Sequence, residues 1–255
     1  VACGAITDIF DLTYDDVLRV FDTFYTPSNM LIYTAGEQDI DKTLAMLDGY
    51  LDQAGDRNRP TIQIGAESIA PSKLVQEYNV TETTQTVDIG FMAHGPSLLD
   101  SKKSEAWGAL VTCIQQMLRV KFPDALAYTV GGNSGGVYNV GVILSQVPIA
   151  QKDAAVAAMQ QALADIAQDG IPSDMLDNAL DQQEEAQQFG REEVFMGFAY
   201  ANDPLACVGR AEVIDSLRSD PDYFKALAAE WMDSPYQTLV VSGNGAGQPE
   251  TFEPQ

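Results

Sequence analysis

Histidine is nearly absent from this sequence, since a single residue of that type, His94, occurs among 255. A catalytic zinc ion usually takes three protein ligands drawn from histidine, carboxylates and cysteine. One imidazole without a neighbouring ligand pattern does not make such a site, and we interpret His94 as a polar residue at the end of a strand. We therefore predict no catalytic residue, no metal ligand and no cofactor-binding residue on this chain.

Cysteines and basic residues are also scarce. Cys3, Cys113 and Cys207 show neither the paired spacing of a zinc ribbon nor the density of a disulfide framework, so we expect a reducing, cytoplasmic location. The 14 Lys and Arg residues oppose 37 Asp and Glu, which gives a formal net charge of −23. This charge disfavours nucleic acid and anionic membranes as partners but is compatible with basic peptides.

Long apolar runs are missing as well. No stretch approaches the roughly 20 residues that cross a bilayer, and no basic segment followed by an apolar one indicates a signal peptide. With 45% hydrophobic residues the chain can nevertheless bury a large core, and its length suggests about one to two domains.

Apolar periodicity predicts alternating helices and strands, typical of an α+β or α/β class with a mixed sheet. The first elements are a helix that Thr13 and Asp16 cap in the manner of a capping box, a buried strand from Met30 to Thr34, and a second helix. Residues 54–72 contain proline and glycine without a period and form the predicted linker. Strands are then predicted over 73–80, 84–93, 125–130, 137–147 and 238–242, and helices around 107–117, 156–166, 178–188, 194–217 and 221–232.

The beginning and the end of the chain share a pattern. An aromatic helix, a proline corner, a short apolar strand and a glycine occur around Pro27 and again around Pro235, and Leu31 and Leu239 each follow their proline by four residues. Similarity at a fixed offset is typical of a repeated unit. We therefore expect that the chain begins late, near the end of one domain, and continues through a complete second copy.

The segment Gly132–Gly136 matches the G-x-S-x-G pattern of a serine-hydrolase nucleophile elbow. That elbow requires a helix directly after Ser134, whereas a strand is predicted there, and His94 precedes the serine instead of following it. The glycines are better interpreted as a tight connection between strands.

Two acidic pairs, Glu184 with Glu185 and Glu192 with Glu193, could suggest acid–base chemistry. They lie in a polar, Gln-rich helical segment, where paired carboxylates more often form a solvated face. No catalytic role is therefore predicted for them.

A resemblance to a known family rests on two segments. CGAITDIFDLTYDDVLRVFDTFYTPSNMLIYTAGEQDIDKTLAMLDGYL (residues 3–51) resembles the end of the first domain of presequence-protease-like zinc metallopeptidases of the pitrilysin/insulinase superfamily. DIAQDGIPSDMLDNALDQQEEAQQFGREE (residues 165–193) is similar to part of their second domain. The resemblance implies an α+β fold, with a mixed sheet and helices packed on one face, preceded by a partial copy of the same domain. With the linker at 54–72, we expect residues 1–53 to form the partial first domain, 73–245 the second domain and 246–255 a flexible tail.

The same resemblance implies a function. In this family a zinc ion, held by a His-x-x-Glu-His helix of the first domain and a further Glu, hydrolyses short unfolded peptides inside a chamber of four similar domains. This sequence lacks that motif, so we expect a non-catalytic wall of the chamber whose partners are the other domains and peptide substrates. The alternative is a non-enzymatic relative that binds peptides or assembles with a catalytic subunit.

These expectations predict that the 255-residue chain holds no stoichiometric zinc and cleaves no peptide in a zinc-dependent manner, because it lacks a convergent ligand set. Metal analysis by plasma mass spectrometry and a fluorogenic peptide assay measure both properties. Tight zinc binding together with turnover would contradict the prediction.

Overall fold

The computed structural model describes residues 9–54, 72–97, 99–134, 137–187, 191–208 and 210–244. The chain divides into two compact units, Val1–Ile64 and Gly65–Gln255. The predicted linker lies outside the described residues except for its terminal positions, Ala54 and Ser72, and the predicted tail at 246–255 lies outside them entirely. No helix among the described residues combines the length and apolar character needed to cross a membrane.

Two helices of unit 1 lie wholly within the described residues, and their starts follow from the sequence. Helix α1 spans Tyr14–Phe24, and the Thr13 hydroxyl accepts the Asp16 N–H at 3.2 Å while the Asp16 carboxylate accepts the Thr13 N–H at 3.0 Å. This confirms the predicted capping box. A 3₁₀ turn over Pro27–Asn29 follows, and helix α2 spans Ile40–Ala54, with the Asp39 carboxylate accepting the Lys42 N–H at 3.1 Å.

The prediction of a strand from Met30 to Thr34 is wrong, because the structure assigns none of these described residues to a strand. A strand needs a neighbouring strand to bond its backbone N–H and C=O groups, and the described residues of unit 1 provide none. The apolar run itself is genuine, but its side chains are largely exposed: Ile32 is 42% exposed.

Unit 2 is built on a mixed sheet of five strands: β1 (Ser72–Tyr78), β2 (Thr86–Ala93), β3 (Leu126–Ser134), β4 (Val137–Pro148) and β5 (Tyr236–Gly243). Their order across the sheet is β1-β5-β2-β4-β3. The β1–β5 pair is parallel and the other pairs are antiparallel. Among the described strands, the last one, β5, therefore lies between the first two, and β1 and β3 form the edges.

Six helices of unit 2 are described: α3 (Ser101–Lys121), α4 (Lys152–Asp169), α5 (Ser173–Gln187), α6 (Arg191–Ala201), α7 (Arg210–Arg218) and α8 (Asp222–Asp233). The continuous helical segment predicted over 194–217 is wrong, because α6 ends at Ala201. Asn202 adopts a left-handed conformation with φ 55°, and Pro204 follows it. An asparagine at this position ends a helix and a proline prevents its continuation.

The helices cover one face of the sheet. Along β2, Val87, Ile89, Phe91 and Ala93 are buried whereas the alternate residues are only half-buried. Successive side chains of a strand point to opposite faces, so the buried set lies beneath the helices. Helices α3 and α4 pack directly on this face of the sheet. Helices α5 and α7 pack on α3, and α8 packs on both α3 and α4.

An aromatic stack joins the helices to the sheet. The ring of Trp231, on α8, lies 5.2 Å from that of Phe91 on β2 and 5.6 Å from that of Trp107 on α3, measured between centroids. All three residues are buried, and offset stacking of this kind adds roughly 0.5–1.5 kcal/mol per pair to the burial of apolar area. The stack holds α8 against β2 and α3, and β5 follows α8 directly in the chain.

Two glycines on neighbouring strands, Gly90 on β2 and Gly141 on β4, allow a matched test of how closely these strands pack. A Cβ added at Gly141 would lie 2.5 Å from the Phe91 carbonyl oxygen and 2.7 Å from Met92 Cγ, whereas one at Gly90 would meet only Ile143 Cγ1, at 3.8 Å. We expect Gly141→Ala to lower the free energy of unfolding of unit 2 by about 2–3 kcal/mol and Gly90→Ala to change it by less than about 1 kcal/mol.

Urea unfolding followed by tryptophan fluorescence measures this difference, because both tryptophans, Trp107 and Trp231, lie in unit 2. Equal effects of the two substitutions would contradict the packing described for Gly141.

Candidate functional site

The glycine-rich segment around Ser134 connects two strands of a hairpin. Strands β3 and β4 are antiparallel, and Ser134 at the end of β3 is opposite Val137 at the start of β4. A nucleophile elbow needs a strand followed by a helix. The backbone therefore does not place this serine in such an elbow, and residues 135–136 lie outside the described part.

The other residues considered for chemistry lie apart along the fold. His94 directly follows β2 and is half-buried, and Glu184 and Glu185 are exposed on α5. The side chains of Glu192 and Glu193 lie outside the described residues. Within the described ranges no group of three or more His, Cys, Asp or Glu side chains is arranged to hold a metal ion.

Glu184 takes part in an ion-pair cluster between helices. The Arg218 guanidinium, at the end of α7, lies 2.8 Å from Asp181, 3.2 Å from Asp177 and 3.4 Å from Glu184, all on α5. The hydrogen bond with Asp181, followed by that with Asp177, raises the pKa of Arg218. These carboxylates therefore neutralise a cation and join two helices, which gives Glu184 a structural role.

The cysteines show no reactive arrangement where they are described. Burial raises the pKa of the Cys113 thiol on α3 to about 12, which keeps it protonated and unreactive. Cys207 is also buried, in the segment between α6 and α7, and Cys3 lies outside the described residues.

The side of the sheet opposite the helices, which we call the open face, carries aligned rows of residues. Cross-strand register places Gln76, Val240, Gly90, Ile143 and Tyr128 in one row across all five strands. Residues directly opposite each other on neighbouring strands share a face. None of these five residues is fully buried.

A second row of the open face contains Thr238, Met92, Gly141 and Val130. The two rows combine small, aliphatic and aromatic residues without a charged side chain. Gly90 leaves a depression between Val240 and Ile143, since a Cβ built there would meet only one atom within 4 Å. Such a surface can contact apolar groups of a peptide or of a neighbouring domain, and its two rows contain no Asp, Glu, Lys, Arg, His or Cys residue.

Asp88 closes one end of the open face. Its Oδ1 atom accepts hydrogen bonds from Ser145 Oγ at 2.5 Å, the Gln146 N–H at 2.9 Å and Asn244 Nδ2 at 2.8 Å. Partial burial pushes the pKa of Asp88 upward, but the bonds from Ser145, Asn244 and Gln146 together outweigh burial and leave the pKa below its ordinary value. The carboxylate thus holds the β2–β4 bulge, including Gln146 at φ 61°, and the residue that follows β5.

Sequence reasoning missed the open face as a site. The alternation of Val87, Ile89 and Phe91 with polar or small residues indicated that one side of β2 is buried, but it gave no order of strands. The row of five residues exists only because β5 is inserted between β1 and β2, which no local pattern encodes.

An α+β domain with a five-stranded mixed sheet, helices on one face and no metal-binding group among its described residues fits a class of non-catalytic peptidase-like domains. The family model for the peptidase M16 inactive domain matches residues 11–183. The chain therefore belongs to the peptidase M16 inactive-domain family, which confirms the resemblance to the pitrilysin/insulinase superfamily.

Solved structures show the same fold. A protease from Helicobacter pylori superposes with a TM-score of 0.71 at 16% identity, and a peptidase M16 inactive domain from Pseudomonas fluorescens with 0.70 at 14% identity. The alignments cover 94% and 96% of this chain but 61% of each of those chains. The FusC ferredoxin protease, solved with Arabidopsis ferredoxin, superposes with 0.61 at 12% identity over 94% of this chain and 27% of its own.

This chain thus spans 61% or less of the length of these three structures. Identities this low show the fold alone. A search of curated proteins finds no match.

The Asp88 network predicts a pH-dependent contribution to stability. A carboxylate whose pKa is lower in the folded than in the unfolded state stabilises the folded protein at pH values above its unfolded pKa. This stabilisation is lost as the pH falls through the folded pKa. We expect Asp88→Asn to lower the free energy of unfolding by about 1–2 kcal/mol at pH 7, because charge-assisted hydrogen bonds are lost. The difference from the native chain should begin to shrink below about pH 4, where the aspartate of the unfolded chain takes up a proton, and should shrink further as the pH falls toward the lower pKa of the folded state.

Urea titrations at pH 7 and pH 3.5 measure both effects, and Asp215→Asn, at an exposed position of α7, controls for the loss of one surface charge. A destabilisation that is the same at the two pH values would refute the electrostatic explanation.

Proposed function

We propose that this chain is a non-catalytic part of a zinc-dependent peptidase, in which the open face of unit 2 lines the space where short unfolded peptides are cut. One observation carries the proposal: in this chain of the peptidase M16 inactive-domain family, helices cover one side of the sheet, and the row of residues that crosses all five strands on the other side contains no charged side chain. Burial of apolar groups from a peptide or a neighbouring domain on this surface would be favourable.

The zinc ion expected in the parent peptidase does not fit the described residues of this chain. His94 lies at the end of β2 without two further ligands placed around it in the described ranges, and Asp88 is occupied by three hydrogen bonds. The peptide-bond hydrolysis that we propose for the parent therefore requires groups from outside these residues. This chain contributes the surface, and its remaining domains or a catalytic subunit are its proposed partners.

We further propose that unit 1 is the closing part of a preceding domain of the same type, and that the protein works in a reducing compartment such as the cytoplasm. The buried, unreactive thiol of Cys113 supports the second point, since it needs no oxidising environment.

A non-enzymatic relative that binds peptides or assembles with a catalytic subunit is the second candidate. The described ranges contain no group of side chains arranged to bind a metal ion. This observation supports a non-enzymatic relative and a non-catalytic piece of a longer enzyme equally. The full-length gene product distinguishes the two, because only the enzyme would carry a His-x-x-Glu-His segment.

Substitutions on the open face test the proposal in that full-length product. We expect Ile143→Arg and Val240→Arg to reduce kcat/KM for a fluorogenic peptide by about tenfold or more, because a charge would then occupy the apolar row facing the substrate. Ala157→Arg, at an exposed position of α4, places the same charge on the helical side and should leave cleavage unchanged.

Tryptophan fluorescence of each variant verifies that unit 2 is folded. If folded open-face variants cleave peptides as fast as the control, the open face does not line the peptide space. If the gene product has no zinc motif and no activity, the same variants are compared by peptide-binding titration, and unchanged affinity would refute the role of this surface in the second candidate.

A further inference from the structure

We propose that the open face contains a subsite for one lysine side chain of a bound peptide, with the aliphatic stem of the lysine over Gly90 and its ammonium group on Asp88. This inference rests on the proposed function, in which the open face lines the peptide space. It goes further by naming the side chain that this surface selects.

Gly90 leaves room for an aliphatic chain near the centre of the sheet. Its neighbours across the row are Val240 and Ile143, and a Cβ built at Gly90 would meet only Ile143 Cγ1, at 3.8 Å. Met92, two residues along β2, does not occupy this space, since its Cγ atom lies over Gly141, 2.7 Å from the position of a Cβ there. An aliphatic chain above Gly90 would therefore lie between two branched apolar side chains and lose contact with water.

Asp88 provides an acceptor at a suitable distance from this space. Alternate residues of a strand share a face and are about 6.6 Å apart, which a four-carbon lysine stem can span. Strand β2 alternates regularly, so Asp88 and Gly90 lie on the same face. The Oδ1 atom of Asp88 accepts the three hydrogen bonds described above, and no bond to Oδ2 is present among the described residues. The Oδ2 atom is therefore available to a ligand.

The strands around Asp88 supply no cation of their own. Neither β2 nor its two neighbours, β4 and β5, contain a Lys, Arg or His residue. No ion pair of Asp88 is present within the described ranges, and the residue is half-buried. Partial removal from water strengthens the attraction between a carboxylate and a cation, and the net charge of −23 draws cationic peptides toward the chain.

The existing hydrogen bonds of Asp88 favour lysine over arginine. A guanidinium group binds a carboxylate most strongly when two of its N–H groups reach both carboxylate oxygens. Ser145, Gln146 and Asn244 already donate to Oδ1, so this two-pronged arrangement is blocked. An ammonium group needs only the free oxygen, while the stem of a lysine can lie along apolar surface.

Peptides that differ in one residue test the subsite by fluorescence anisotropy with the 255-residue chain. The probe is a fluorescein-labelled peptide of alanine, serine and leucine with blocked termini and lysine, arginine or norleucine at one central position. We expect lysine to bind about tenfold more tightly than norleucine, because it gains a charge-assisted hydrogen bond, and arginine to bind no more tightly than lysine. Equal binding of lysine and norleucine, tenfold tighter binding of arginine than of lysine, or no saturable binding would each overturn the inference.

A charge-removing variant identifies the acceptor. Asp88→Asn should reduce the preference for lysine over norleucine to within about twofold, because the pairwise interaction is lost. The preference is a ratio measured on one variant, so the lower stability expected for Asp88→Asn does not enter it. Asp215→Asn removes one exposed charge on α7 and should retain the full preference. A preference that survives Asp88→Asn would refute the role of Asp88.

A space-filling variant tests the position of the stem. Gly90→Val should weaken the binding of both the lysine and the norleucine peptide by about tenfold, because its side chain occupies the space above Gly90. Tryptophan fluorescence verifies that unit 2 of this variant is folded. Unchanged affinity of a folded Gly90→Val chain for both peptides would contradict the proposed position.

The cleavage assay of the full-length gene product separates this inference from the proposed function. If Ile143→Arg and Val240→Arg reduce cleavage but lysine and norleucine peptides bind equally, the lysine subsite is refuted and the proposed function is retained. If the preference depends on Asp88 but those two variants cleave peptides as fast as their control, the subsite is retained and the proposed function is refuted.

Discussion

The structure of unit 2 depends on the insertion of β5, its last described strand, between β1 and β2. Strand β5 bonds in parallel to β1 and antiparallel to β2, so neither of those strands has a complete set of sheet neighbours until residues near the C-terminus have arrived. Trp231 stacks on Phe91 just before this strand, and Asn244 bonds to Asp88 just after it. Such contacts between distant parts of the chain make the fold strongly non-local.

The same insertion creates two unlike surfaces. One side of the sheet lies under helices and contains the buried side chains that stabilise unit 2. The other side aligns small, aliphatic and aromatic residues across five strands, with Asp88 at one end. The two rows can contact apolar groups, and the chain belongs to the peptidase M16 inactive-domain family.

Unit 1 shows what happens when an apolar segment has no neighbouring strand among the described residues. Its apolar helix stripe and its short apolar segment have the sequence pattern of α8 and β5, but the described residues provide no strands to receive them. The different outcome for similar local sequences shows that pairing partners, and not local propensity, decide whether such a segment becomes a strand. The two units thus illustrate one constraint, which the described residues satisfy in unit 2 and not in unit 1.

The sequence by itself determined the local features: the capping box at Thr13, the one-sided burial of β2, the hairpin after Ser134 and the lack of a convergent zinc motif. Each depends on residues a few positions apart, or on composition, and is therefore encoded locally. Only the tertiary structure decided the strand order, the residues of the open face, the left-handed break at Asn202 and the absence of a strand at 30–34. These features depend on which backbone groups and side chains meet across large sequence separations, and periodicity contains no information about such partners.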